Sequence, residues 1–320
     1  MRGSTDWQVT EVFKCINDLG SSKHEAKIEA RAAGASTFEQ VGQVIGLYGT
    51  ETYKDYVTIA KDAFNYIRAE YGCNDLQKVE SHMIHDYLLD KIQNGGRSGE
   101  GVERATYDKY SSGLHKLELA LNKHAESKGQ DKSYNFELKA VSKYAAATLG
   151  DRCKDSRAYQ NVDKLVAAIN SPKYNLTATL IRETGFRISE ISTIKPDQIK
   201  GFRPDPYTKE MLCWIGVNGK GGKYYERGIT PATSARLDKA MAAGGGEWNV
   251  NQGNFREALK TAAAVTKQAY ESCHGIRWNV AQEWHSRLQE MGYSYETSLS
   301  IISKEVLCHN RSDITKHYLI

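Results

Sequence analysis

Glu183-Thr184-Gly185-Phe186-Arg187-Ile188-Ser189-Glu190-Ile191 is the stretch on which the reading of this 320-residue chain turns. Gly185 breaks one helix and Arg187 opens the next. Arg187 and Glu190, three residues apart, share a face of that second helix. Alone they make a surface ion pair worth under about 1 kcal/mol, so their meaning depends on what the rest of the chain carries.

Downstream, Met211 to Val217 is an apolar, strand-like run. Asn218-Gly219-Lys220-Gly221-Gly222-Lys223 follows, and then a second run from Tyr224 to Thr230. Asn-Gly and further glycine between two such runs predict a β-hairpin with Lys220 and Lys223 projecting from its turn. The glycines do not form a nucleotide-binding loop, because Tyr224 follows Lys223 and Val217 occupies the required first glycine position. His274-Gly275-Ile276-Arg277 opens a helix whose buried stripe continues through Val280, Ala281, Trp284 and Leu288. His274 and Arg277 project together from its N-terminal end. Cys308-His309 is followed nine residues later by Tyr318, and Ser312 is a candidate N-cap for a short last helix. Singly, these elements are a solvated turn, a capping histidine with a surface charge, and a packing aromatic. The pairs Cys273-His274 and Cys308-His309 offer a zinc-like inventory, but adjacent side chains diverge and the spacing is wrong. No metal is expected.

Upstream, five prolines in the whole chain and apolar residues at helical spacing argue for a mainly α protein. Helices are expected over residues 38–48, 51–71, 77–92 and 103–128. The second carries Lys54, Lys61 and Arg68 at a seven-residue step, and the fourth Lys109, Lys116 and Lys123. Such steps return to nearly one helix face, giving two basic stripes that suit phosphates or simply face solvent. The polar stretch Gly150 to Arg157 reads as a linker. Charge is divided in the same way: residues 1–150 hold 19 Lys and Arg against 21 Asp and Glu, and the remainder 24 against 18. Any polyanion is therefore expected at the C-terminal half. No run approaches the roughly 18 apolar residues of a membrane span, and no secretory leader is visible. Six scattered cysteines fit reduced thiols. A cytoplasmic setting is expected.

The order Arg187, hairpin lysine, His274-x-x-Arg277, His309, Tyr318 resembles the tyrosine recombinases, the phage integrase type of site-specific recombinase. The similarity runs over most of residues 175–320, and Thr315 and Leu319 also fall in place; Cys308 departs from it, standing where the family usually has glycine. The resemblance implies a C-shaped clamp on DNA. It has an N-terminal extension or arm over residues 1–35 and a helical core-binding domain over 36–148. A mainly helical catalytic domain with a small antiparallel sheet spans 149–320. It also implies that Tyr318 attacks the DNA backbone while Arg187, Arg277 and His309 hold the phosphate and His274 accepts the tyrosine's proton. Lys220, or second Lys223, would protonate the departing 5′ oxygen, and Glu190 would orient its neighbours. Such a reaction conserves bond energy in a 3′-phosphotyrosyl link and requires no cofactor. The implied partners are double-stranded DNA with specific recombination sites, a homo-tetramer assembled on two of them, and accessory DNA-bending proteins. Two alternatives remain at this point: a type IB topoisomerase, which shares the chemistry, and a DNA-binding protein that keeps the fold without cutting.

Overall fold

The computed structural model describes residues 1–96, 99–150, 155–219, 223–308 and 312–320, the side chains of Phe38 and Glu39 excepted. It divides into two compact units, Met1–Cys153 and Lys154–Ile320. The protein is mainly helical with small antiparallel sheets.

The first unit contains α1 (Thr5–Phe13), α2 (Lys23–Ala32), α3 (Phe38–Val44), α4 (Thr50–Tyr71), α5 (Ser81–Asn94), α6 (Arg104–Ser127) and α7 (Lys139–Thr148). In α4 the buried residues Val57, Ala60, Ala63, Phe64 and Ile67 recur every three or four positions, so one stripe faces inward. Gly72 ends the helix in the left-handed conformation. α6 lays Leu114, Leu117 and Leu121 against the same core. Gly113 permits the close approach, since a Cβ there would stand 3.0 Å from the Ile59 side chain. Within residues 1–35, Val9, Val12, Phe13 and Ile16 are buried in this core as well. Each such fully buried side chain contributes on the order of 2 kcal/mol.

Two helix boundaries differ from the sequence pattern for local reasons. The helix expected over 38–48 stops at Val44, because the chain turns extended at Ile45 and Leu47 bridges Asn17. The helix expected from residue 77 begins at Ser81, since Asp75 caps a tight turn by accepting the Gln77 N–H at 3.0 Å.

The second unit runs α8 (Val162–Ala167), α9 (Pro172–Thr184), α10 (Ile188–Ile191), β1 (Thr193–Ile194), β2 (Ile199–Pro204), β3 (Met211–Asn218) and β4 (Tyr224–Ile229). Then come α11 (Pro231–Ala243), β5 (Trp248–Asn249), α12 (Gln252–Val265), α13 (Ser272–Glu290), α14 (Tyr295–Ile301), a π-turn over Ile302–Val306, α15 (Ser312–Thr315) and a 3-10 turn over Lys316–Leu319. β3 is the middle strand of the antiparallel order β2-β3-β4. Consistent with that place, Cys213 through Val217 are all buried, which explains their unbroken apolar run. The expected hairpin forms, with the Gly219 N–H donating to the Lys223 carbonyl at 2.8 Å; Lys220 itself lies outside the described residues. β2 was not expected: it is exposed along most of its length and has no apolar alternation to read.

α9 and α13 pack together and carry the chemistry-bearing segments at their ends. Ser171 caps α9, Pro172 occupies its first turn, and Gly185 closes it at φ +66°. A Cβ on Gly185 would stand 3.2 Å from Val306 and 3.4 Å from Val280. Left-handed backbone costs a substituted residue roughly 1–2 kcal/mol before any crowding. Gly185→Ala should therefore lower the unfolding free energy of the protein by about 1–2 kcal/mol in urea titration. An unchanged midpoint would mean that the α9 end relaxes freely.

Candidate active site

Arg187 immediately precedes α10, and Glu190 folds back onto it. One carboxylate oxygen of Glu190 accepts the Arg187 backbone N–H at 2.7 Å and the other accepts Nη1 at 2.7 Å. The Glu190 side chain is only 4% exposed and that of Arg187 33%, so this is no solvated surface pair. Burial weakens the Arg187 cation, but the hydrogen bond and charge of Glu190 outweigh it and leave its pKa raised. The base of the hairpin lies alongside, since a Cβ on Gly219 would stand 3.1 Å from Glu190 Oε1.

Arg277 is buried in α13. Its Nη2 donates to the Leu307 carbonyl at 2.6 Å, whereas Nε and Nη1 have no partner among the described residues. Burial, then the charge of Arg187, lowers its pKa. A buried guanidinium with two unsatisfied nitrogens is costly alone, and the oxygens of an anion would satisfy them.

His274 lies one turn earlier on α13. Its Nε2 is 3.1 Å from the Tyr318 hydroxyl, and the rings meet edge to face with centroids 5.5 Å apart. Burial, reinforced by Arg277, Arg157 and Arg187, pushes the imidazole down to about 4. At neutral pH the ring is therefore uncharged and can accept the phenol's proton through Nε2. Gly275 makes the start of α13 feasible, because a Cβ there would meet the Arg157 carbonyl at 2.7 Å.

Ahead of residue 309 the backbone turns through Cys308 at φ +56°, the conformation that a glycine would supply without strain. The turn is held by Arg227 on β4, whose Nη2 donates to Cys308 Sγ at 2.9 Å and to the Lys304 carbonyl at 3.1 Å. Burial raises the Cys308 thiol pKa despite that cation. Burial, then Glu190, also raises that of the Tyr225 phenol in the same wall.

Arg187, His274, Arg277 and Tyr318 are thus gathered at one place, while Lys220 and His309 lie outside the described residues. Lys223 is exposed. Arg157, Arg227, Tyr225 and Trp278 also line or tune the site and were not singled out from sequence. Arg157 lay in a linker pattern, Arg227 and Tyr225 in a strand run, and Trp278 beside the His-Arg motif; none carries a local spacing signal. Among the described residues, no group of three or more His, Cys, Asp or Glu is placed to hold a metal ion.

The basic stripes of the first unit are largely engaged within it. Lys54 pairs with Glu51 at 3.0 Å, Lys61 with Asp6 at 2.6 Å, Lys109 with Asp55 at 2.8 Å and Lys123 with Glu126 at 2.9 Å. Arg68 donates to the Thr5 hydroxyl at 3.1 Å. Lys116 is half-buried and donates to the Gly42 and Ile45 carbonyls, both at 2.6 Å, at the end of α3. Burial, then Lys23, lowers its pKa to about 8. No helix among the described residues is long and apolar enough to cross a membrane.

The fold is similar to that of solved site-specific recombinase complexes. The XerH site-specific recombinase, in a post-cleavage complex with a palindromic difH substrate, matches at a TM-score of 0.63 and 17% identity over 100% of this chain and 94% of that one. Its pre-cleavage complex with difH matches at 0.62 and 16%, over 100% and 95%. Neither a protein-family model nor a curated protein matches the sequence.

The His274 environment predicts a definite titration. Folding favours the neutral ring, so the stability it contributes is complete above about 6.5, the free value, and is lost as pH falls toward the folded value of about 4. NMR titration of the DNA-free protein should place the His274 midpoint near about 4. A midpoint at the free value would mean that the ring is hydrated and the cations are distant.

Proposed function

We propose that the protein is a tyrosine-type site-specific recombinase that cleaves and rejoins DNA through a 3′-phosphotyrosyl intermediate. The observation that carries this reading is the Tyr318 hydroxyl, 3.1 Å from an uncharged His274 and beside the unsatisfied Arg277 guanidinium. Tyr318 Oη attacks the scissile phosphorus and its proton passes to His274 Nε2. Arg187 and Arg277 bind the non-bridging oxygens as charge builds on the pentavalent phosphate, with His309 donating a further hydrogen bond. The P–O5′ bond breaks as a hairpin lysine, Lys220 or second Lys223, supplies a proton. A free 5′ hydroxyl and a phosphotyrosyl link remain, and attack by another 5′ hydroxyl reverses the step on a new strand. No external energy source, metal or nucleotide enters this balance.

In this reading four copies assemble on two DNA sites, with accessory DNA-bending proteins as partners, to integrate, excise or resolve DNA in the cytoplasm. Lys54, Lys61, Arg68, Lys109 and Lys123 would exchange carboxylate or hydroxyl partners for DNA phosphates. Lys116 would have to leave two carbonyls to do the same, which makes it the weakest of the six.

Duplexes selected from a random pool supply a binding site, and a nick beside the scissile bond turns it into a suicide substrate. Wild-type protein should become covalently attached, and Tyr318→Phe should bind equally but never attach. Trapping of the Phe variant would remove Tyr318 from the chemistry, whereas supercoil relaxation without site dependence would favour a type IB topoisomerase. Arg187→Ala and Arg277→Ala should each slow attachment at least ~100-fold, the scale of losing one transition-state donor. Near-normal rates in both would show that the phosphate binds elsewhere.

A further inference from the structure

Tyr318 sits on a single 3-10 turn, Lys316–Leu319, none of whose residues is fully buried. A phenol on so short an element keeps its aim only if side chains elsewhere fix the ring. α13 supplies them in a ridge at four-residue steps, His274, Trp278 and Gln282. His274 meets the edge of the Tyr318 ring, and Gln282 Nε2 donates to the Ile320 carbonyl at 3.1 Å. Between them the Trp278 indole lies 5.1 Å from the Tyr318 ring, centroid to centroid, at an interplanar angle of 35°. Trp278 is buried, and its Nε1 has no hydrogen-bond partner among the described residues. Ring contact, not a hydrogen bond, is therefore what this indole offers.

We propose that Trp278 is a positioning residue for the nucleophile: its face fixes the plane of the Tyr318 ring so that Oη meets His274 and the phosphorus in line. The proposal rests on the reading of Tyr318 as the nucleophile. Arg277, the preceding residue, binds the phosphate from the same helical turn, so one rigid element sets both the target and the attacking ring. Loss of the indole face leaves the phenol free to turn about its two side-chain torsions while the phosphate stays bound. The defect therefore belongs to the chemical step and not to DNA affinity.

The test is single-turnover attachment to the nicked duplex at saturating DNA, with DNA Kd and Tm measured on the same proteins. Trp278→Leu should attach ~10–100-fold more slowly, the scale of a misplaced reacting group, with Kd near wild type and a Tm lowered by the buried volume it gives up. Trp278→Phe, which keeps an aromatic face and gives up one of the two fused rings with its unpartnered N–H, should recover to within ~3-fold of wild type. A Leu variant as fast as wild type, or one defective only in Kd, overturns the proposal. So does a Phe variant more than ~10-fold slow at wild-type Kd and Tm, which also decides the case if the Leu variant fails to fold. Ring-current shifts of Tyr318 in the DNA-free protein, compared between wild type and Trp278→Phe, report the contact without any reaction. Their absence in wild type overturns the proposal, and their presence in a protein that never attaches to DNA would count against the nucleophile reading alone.

Discussion

A cation buried with too few partners is the constraint around which the second unit is organised. Arg277 is held inside α13 with one hydrogen bond, to the Leu307 carbonyl, and two nitrogens unsatisfied among the described residues. Leaving a buried charge so poorly matched costs several kcal/mol, which packing elsewhere in the unit must offset. The α9–α13 contact provides that packing, and Gly185 lets the two helices' neighbours Val280 and Val306 close around the break. Arg187 is made stiff by a different route, with its backbone and side chain both bonded to one carboxylate. Two guanidinium groups fixed before any ligand arrives cost little reorganisation when an anion binds between them.

The same cations decide the protonation state of His274. Burial is the larger influence, and Arg277, Arg157 and Arg187 act in the same direction, so the imidazole stays uncharged and retains an acceptor nitrogen for the phenol. A base this weak would be a poor acceptor if nothing changed. An anion bound among these cations would neutralise part of the surrounding positive charge and raise the proton affinity of the ring. The arrangement thus couples the basicity of His274 to occupancy of the site.

Much of the scaffold was legible because its signals are local. α4 and α6 show a single apolar stripe, and β3 shows the unbroken apolar run of a middle strand. Boundaries fixed by tertiary partners were not legible: α3 ends where Leu47 bridges Asn17, thirty positions of sequence apart on either side of α2. At the site, Arg187, His274, Arg277 and Tyr318 could be found because their order and spacing resemble a family pattern. Arg157, Arg227 and Trp278 act through contacts that join distant segments, and nothing in their own neighbourhoods marks them. Lys116 shows the converse: helical periodicity put it on a basic stripe, yet its ammonium is taken up by carbonyls of α3, which periodicity cannot see.

Cys308 shows how a departure from a family pattern is absorbed. A left-handed non-glycine residue costs roughly 1–2 kcal/mol, and the chain nevertheless keeps that conformation immediately before residue 309. The side chain that glycine would lack here reaches Arg227, which also holds the Lys304 and Glu226 carbonyls and so ties β4 to the end of the π-turn. Because burial raises its pKa, the thiol remains neutral and adds no charge among the neighbouring cations. An acidic side chain at the same position would partly neutralise the neighbouring cations. The backbone there demands a left-handed turn and the field demands neutrality; cysteine meets the second while the surrounding contacts impose the first.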